Sequence, residues 1–184
     1  MIVAPPPLPL PVRTAIVVPM SRRVSPPWPG CVPLLRSPPG TLLTCGARLE
    51  GTLRLRLTDG RVVRFGLTGV SPLQWSRAAR SPDGRWFLLK ADIACDTSGA
   101  FVVPTSGGDA PKPVPRPPPG CDANVGVPLG WTRDNRAIVV WQPSRTCRCA
   151  LPEGVYSVDP RTRHGRLLWR GKVQPLLQRA ASTP

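Results

Sequence analysis

Apolar and polar residues alternate over short runs, and turn residues close each run. TLRLRL (52–57) and VYSV (155–158) read as alternating strands, whereas TLLT (41–44), WFLL (86–89) and AIVVW (137–141) are apolar β-type runs, the last two apolar on both faces. No stretch rich in Ala, Leu, Glu and Lys carries a helical period, and the chain has only two Met. The pattern predicts an all-β class.

The turns recur in order. RSPPGTLL begins at Arg36, RSPDGRWFLL at Arg80 and WTRDNRAIVV at Trp131. Their hydroxyl residues, Ser37, Ser81 and Thr132, are spaced by 44 and 51 positions, and an apolar run follows each. A second landmark trails each turn: TLRLRLTDGR (52–61), AFVVPTSGG (100–108) and VYSVDPRTRHG (155–165). A closing strand comes next, in VVRFGL (62–67), a weaker PKPV (111–114) and RLLWRG (166–171). The two landmarks drift together, as in a repeat with loop insertions. The implied unit is a four-stranded meander of roughly 45–50 residues, the size of a propeller blade. One meander cannot bury both its faces, whereas stacked neighbours bury them for each other. The Pro-rich PKPVPRPPP falls on the outermost strand of the second unit, where a residue without an N–H is tolerated.

Ser-Pro-Asp-Gly-Arg before an apolar strand, then VYSVDPRT and a closing strand, resembles the TolB-type, WD-like propeller repeat. The resemblance covers about residues 31–171. It departs from the family pattern at Pro39, at Arg133 and Asn135, and at Arg36 and Arg80, where Trp is usual; Trp131 fits. It implies a partial or open β-propeller of about three four-stranded antiparallel blades, at 31–67, 73–114 and 129–171. Residues 172–184 are expected to form a C-terminal tail. Propellers of this type commonly close with more blades, so two copies pairing three plus three, a homodimer closing a six-blade ring, is one expected completion.

Composition adds two points. Pro is 27 and Gly 17 of 184 residues, against 41% hydrophobic, so a folded core is expected beside Pro-rich segments. Residues 1–30 are expected to form a disordered Pro-rich tail, within which Thr14–Val18 is the run suited to an added edge strand. The formal charge is +15, from 22 Arg and 3 Lys spread evenly along the chain, and no acid precedes Glu50. Even scatter fits GC-rich coding better than a nucleic-acid stripe, although it attracts polyanions at low salt. Pro interrupts every apolar run at the N-terminus and no run approaches the length of a membrane helix, so neither a signal peptide nor a membrane span is evident. The segment also reads as read-through upstream of a start at Met20, and export is expected if the N-terminus is misassigned. The compartment is left unassigned.

Candidate chemistry is sparse. Strand directions place Cys95, Cys121, Cys147 and Cys149 on the face opposite the Pro-Asp-Gly turns. Free thiols, a disulfide and a thiolate metal site are all open readings there, and no metal or cofactor is assigned. Cys45 reads as a small buried residue. His164, the only His, sits in a turn with no Gly-x-Ser-x-Gly elbow in the chain. Asp59, Asp83, Asp134 and Asp159 are explained as turn formers. Trp86, Trp141 and Trp169 read as packing core, and Trp28 as the Trp most open to a partner.

The TolB-like resemblance implies a non-enzymatic propeller-type module binding a protein or peptide. Its ligand face is expected along the loops bearing Asp92, Asp96, Asp122, Arg145 and Arg148. The alternatives are an Arg-rich binder of nucleic acid or another polyanion, and the propeller part of a hydrolase without its catalytic domain.

Overall fold

The computed structural model describes residues 15–21, 30–46, 52–68, 73–93, 97–116, 126–142 and 151–173. Thirteen strands lie in these segments: β1 Val18–Pro19, β2 Cys31–Ser37, β3 Gly40–Cys45, β4 Thr52–Leu57, β5 Val62–Arg64, β6 Leu73–Arg80, β7 Trp86–Ile93, β8 Thr97–Pro104, β9 Lys112–Pro113, β10 Gly126–Trp131, β11 Ala137–Trp141, β12 Gly154–Val158 and β13 Gly165–Arg170. They form three antiparallel sheets. The first runs β2-β3-β4-β5, the second β6-β7-β8-β9, and the third β10-β11-β12-β13 with β1 added beside β10. Each sheet is a meander, and the strands fall where the alternation and turn residues predict. Among the described residues no helix is long and apolar enough to cross a membrane.

The period of two explains the stacking. On β7, Phe87, Leu89 and Ala91 point into a core shared with Leu42, Leu53, Leu55 and Phe65 of the first sheet. Leu88, between them, points the other way, into a core with Trp131, Val139, Trp141 and Tyr156 of the third sheet. The middle sheet is thus apolar on both faces because both are covered. Trp75 meets Phe101 edge to face at 5.3 Å between ring centres, and Phe65 meets Phe87 likewise at 6.2 Å.

Polar contacts hold the same order. The Arg80 guanidinium donates to the Pro38 carbonyl, joining the first turns of sheets one and two. The Asp83 amide donates to Asn135 Oδ1 at 2.8 Å, joining those of sheets two and three. At the outer rim, Gly108 N donates to Arg64 O at 2.9 Å and Gly66 N to Asp109 O at 3.0 Å. A Cβ at Gly107 would stand 2.1 Å from Val63 Cγ1, so only glycine lets this rim close.

The expected N-terminal tail, 1–30, contributes residues 16–21 to the assembly. Val18 and Pro19 pair with Trp131 and Gly130. Ser21 then reaches the other two sheets. Its amide donates to Ala78 O at 2.9 Å, its hydroxyl donates to Leu34 O at 2.8 Å, and the same hydroxyl accepts from Ala78 N at 3.2 Å. One short segment therefore ties together β2, β6 and β10, the first strand of each meander.

The expected C-terminal tail is also partly built in. Val173 is fully buried against the far face of the third sheet, with Val127, Ile138, Val140 and Val155. Its amide donates to Glu153 Oε1 at 2.6 Å. Ile16, Leu129, Leu168 and Trp169 complete the cover.

Cys45 is buried as expected, but it is not a free thiol: it is bonded to Cys31. The two stand directly opposite on β2 and β3, with Cα atoms 4.0 Å apart. The flanking pair shares a ladder bond, Gly46 N to Gly30 O at 3.0 Å. The cysteines therefore occupy the non-hydrogen-bonded position, where side chains stand closest.

Two stability predictions follow from this packing. Gly130 has φ +150°, and an added Cβ would lie 2.3 Å from the Val18 carbonyl oxygen. Gly130→Ala should therefore displace β1 and cost about 1–3 kcal/mol in urea unfolding; an unchanged midpoint would show that β1 is not docked there. Cys31 and Cys45 are 14 residues apart, and opening so short a loop should cost about 3 kcal/mol. The Cys31→Ser/Cys45→Ser variant and the reduced wild type should then unfold at the same lowered midpoint, and insensitivity of the wild type to reductant would contradict the bond.

Candidate functional site

Of the residues expected at the ligand face, Asp92 lies within the described segments, near the end of β7. Lys90 Nζ lies 3.0 Å from its Oδ1, and Ser98 Oγ donates to the same oxygen at 3.2 Å. The pair sits on the β7 side facing the third sheet, and the Lys90 side chain is mostly buried. Burial raises the Asp92 pKa. The Lys90 ammonium and the hydroxyl donors outweigh it, so the net shift is downward from the ordinary 3.8. Asp96, Asp122, Arg145 and Arg148 lie outside the described residues, as do Cys95, Cys121, Cys147, Cys149 and Trp28.

The turn acids act as the sequence suggests. Asp83 Oδ1 accepts from Ser81 Oγ at 2.6 Å and from Arg85 N at 3.0 Å. Burial raises its pKa, but these donors hold it lowered. Asp159 Oδ1 accepts from Arg161 N at 2.8 Å and Thr162 N at 3.0 Å. The Thr162 amide is the chief cause of its lowered pKa, against the opposing effect of burial. Asp59 accepts from Arg61 through both carboxylate oxygens. His164 sits in the exposed β12–β13 turn, where its backbone N–H donates to Thr162 Oγ1. Among the described residues no three His, Cys, Asp or Glu side chains cluster as a metal site.

The open feature lies at the other end of the stack, on the outer face of the first sheet. Strand register sets its rows. Arg36, Thr41, Arg56 and Val62 form one row. Pro33, Leu43, Arg54 and Arg64 form the next, and the Cys31–Cys45 disulfide lies beyond them. The side chains of Cys31, Leu43, Cys45, Arg54, Arg56 and Val62, with Gly60 of the β4–β5 turn, line a hollow of about 350 Å³. Its base is apolar, with Leu43 and Cys45 each 5% exposed while Val62 is 50% exposed. Its walls are guanidinium-bearing.

The sequence reading passed over this face. The signal was there in TLRLRL, whose alternation puts Arg54 and Arg56 on the side opposite Leu53 and Leu55. Even scatter of Arg along the chain hid a local cluster that forms only when β4 pairs with β5.

The Lys90–Asp92 pair gives a pH prediction. A depressed carboxyl pKa contributes stability above its unfolded value and loses it as pH falls through the folded value. Wild-type thermal midpoints should therefore drop more steeply below pH 3.8 than those of Asp92→Asn. Parallel curves would show that the pair contributes nothing. No family model, curated protein or solved structure matches this chain.

Proposed function

We propose that the three sheets are blades of a partial β-propeller, similar to the TolB-like repeat, and that the protein is a non-enzymatic module binding a protein or peptide partner. The observation that carries this reading is the unequal treatment of the two ends of the stack. The far face of the third sheet is capped by Val173 and Ile16, with Ile138, Val140 and Val155 fully buried beneath. The outer face of the first sheet holds the hollow, and no described segment caps it. A blade face with no neighbour is a surface suited to a partner.

The same asymmetry weighs against a six-blade ring made from two copies. Head-to-tail closure would set the open face of one copy against a face already capped in the other. A two-fold pairing of open faces would set Arg36, Arg54 and Arg64 against their own copies, which repel. The second reading, polyanion binding, is favoured by the local arginine cluster on that face.

Selection from a displayed random-peptide library on the oxidised protein tests the proposal. The expected result is a consensus whose synthetic peptide binds with micromolar Kd and protects β2–β5 amides from hydrogen exchange. Absence of any consensus, with log K for a nucleic acid falling linearly with log salt instead, would replace it with the polyanion reading.

A further inference from the structure

Arg54 on β4 and Arg64 on β5 stand directly opposite each other. Phe65 N donates to Leu53 O on one side of this pair, and Leu57 N to Arg61 O lies further along the same ladder. That phase makes Arg54–Arg64 a non-hydrogen-bonded pair, with Cα atoms about 4.5 Å apart and side chains at their closest. Like charges so placed destabilise a sheet. Both arginines are exposed. Among the described residues Asp59 is the one acid of the first sheet, and it is engaged by Arg61. Arg36 adds a third exposed guanidinium two strands away, in the row on one side of Leu43 and Arg54, with the disulfide in the row on the other side.

We infer that this face binds an acidic peptide segment in extended form, with carboxylates and apolar side chains in alternation. This rests on the reading of the protein as a peptide-binding module and names its site and the partner's chemistry. The guanidinium is a planar fork matched to a carboxylate, and one carboxylate between Arg54 and Arg64 removes their repulsion. Alternate residues of an extended peptide repeat every ~6.8 Å, the spacing of alternate positions along β4. With the peptide lying along the strands on its edge, carboxylates on one side reach Arg54 and Arg64, and the alternate apolar residues turn to the other side, toward Leu43 and the disulfide. Among the described residues that line the hollow none is aromatic, so none of them offers the stacking platform used for single-stranded nucleic acid.

The test uses the full oxidised chain and capped peptides of alternating Glu and Val. Control peptides replace Val by Ser or Glu by Gln, and a sulfated polysaccharide serves as a non-peptide anion. Binding is followed by calorimetry at low and physiological salt. The Glu-Val peptide should bind most tightly, with a negative heat-capacity change from apolar burial. Arg54→Ser and Arg64→Ser should each weaken it roughly tenfold or more, yet each should raise the melting temperature of the unliganded protein. A purely structural arginine would lower it. Arg166→Ser, on β13, should change neither quantity. Equal binding of the Ser-substituted peptide with far tighter binding of the polysaccharide would overturn the inference in favour of a general polyanion site. If library-selected peptides bind but ignore both arginine variants, the inference falls while the module reading stands. If no peptide of any kind binds, both fall.

Discussion

A β-sheet with apolar residues on both sides has to be covered twice, and the rest of this structure is organised around that requirement. The middle sheet meets it through its neighbours: Phe87 and Leu89 go one way and Leu88 the other. Each such residue, fully buried, contributes about 1.5–3 kcal/mol relative to exposure. The exposed ion pair Arg61–Asp59 is screened by solvent and contributes little. Stacking of sheets, not surface charge, therefore holds the molecule together. A stack of three leaves two end faces, and the chain treats them by opposite means. One is apolar and covered by the chain's own residues. The other carries arginine on every second position of β4.

Much of this was legible locally. Alternation predicted the strands, and Pro-Asp-Gly, Asp-Gly and Asp-Asn predicted the turns that separate them, because both signals act within a few residues. PKPV was expected to be the weakest strand, and it shrinks to Lys112–Pro113 at an outer edge. What escaped the sequence depends on distant pairing. Cysteine connectivity has no local signature, so Cys31–Cys45 could not be read. The run Thr14–Val18 suits an added edge strand and one forms at Val18–Pro19, but its partner β10 has no local signal: it is fixed by Gly130, whose missing Cβ leaves room for it. The arginine cluster needed the register that sets Arg54 against Arg64. Most residues expected at the ligand face lie outside the described segments, so the candidate site moved to the end of the stack where the geometry is on view.

The disulfide and the open hollow share one sheet, and the association has a physical reason. A terminal sheet lacks the second neighbour that stabilises the middle one. Cross-linking β2 to β3 supplies by covalent means what packing on that side does not.

The pairing of β1 with β10 has a consequence for how the chain is made. Val18 leaves the ribosome early, yet its partner Trp131 emerges on the order of a hundred residues later. Until then the segment can reach only β2 and β6, through Ser21. Its pairing with β10 waits for the third sheet, and a contact so far apart in sequence closes slowly compared with a hairpin. A nascent chain stalled before residue 126 would carry the residues of the first two sheets, a middle sheet without its second cover and an unpaired β1.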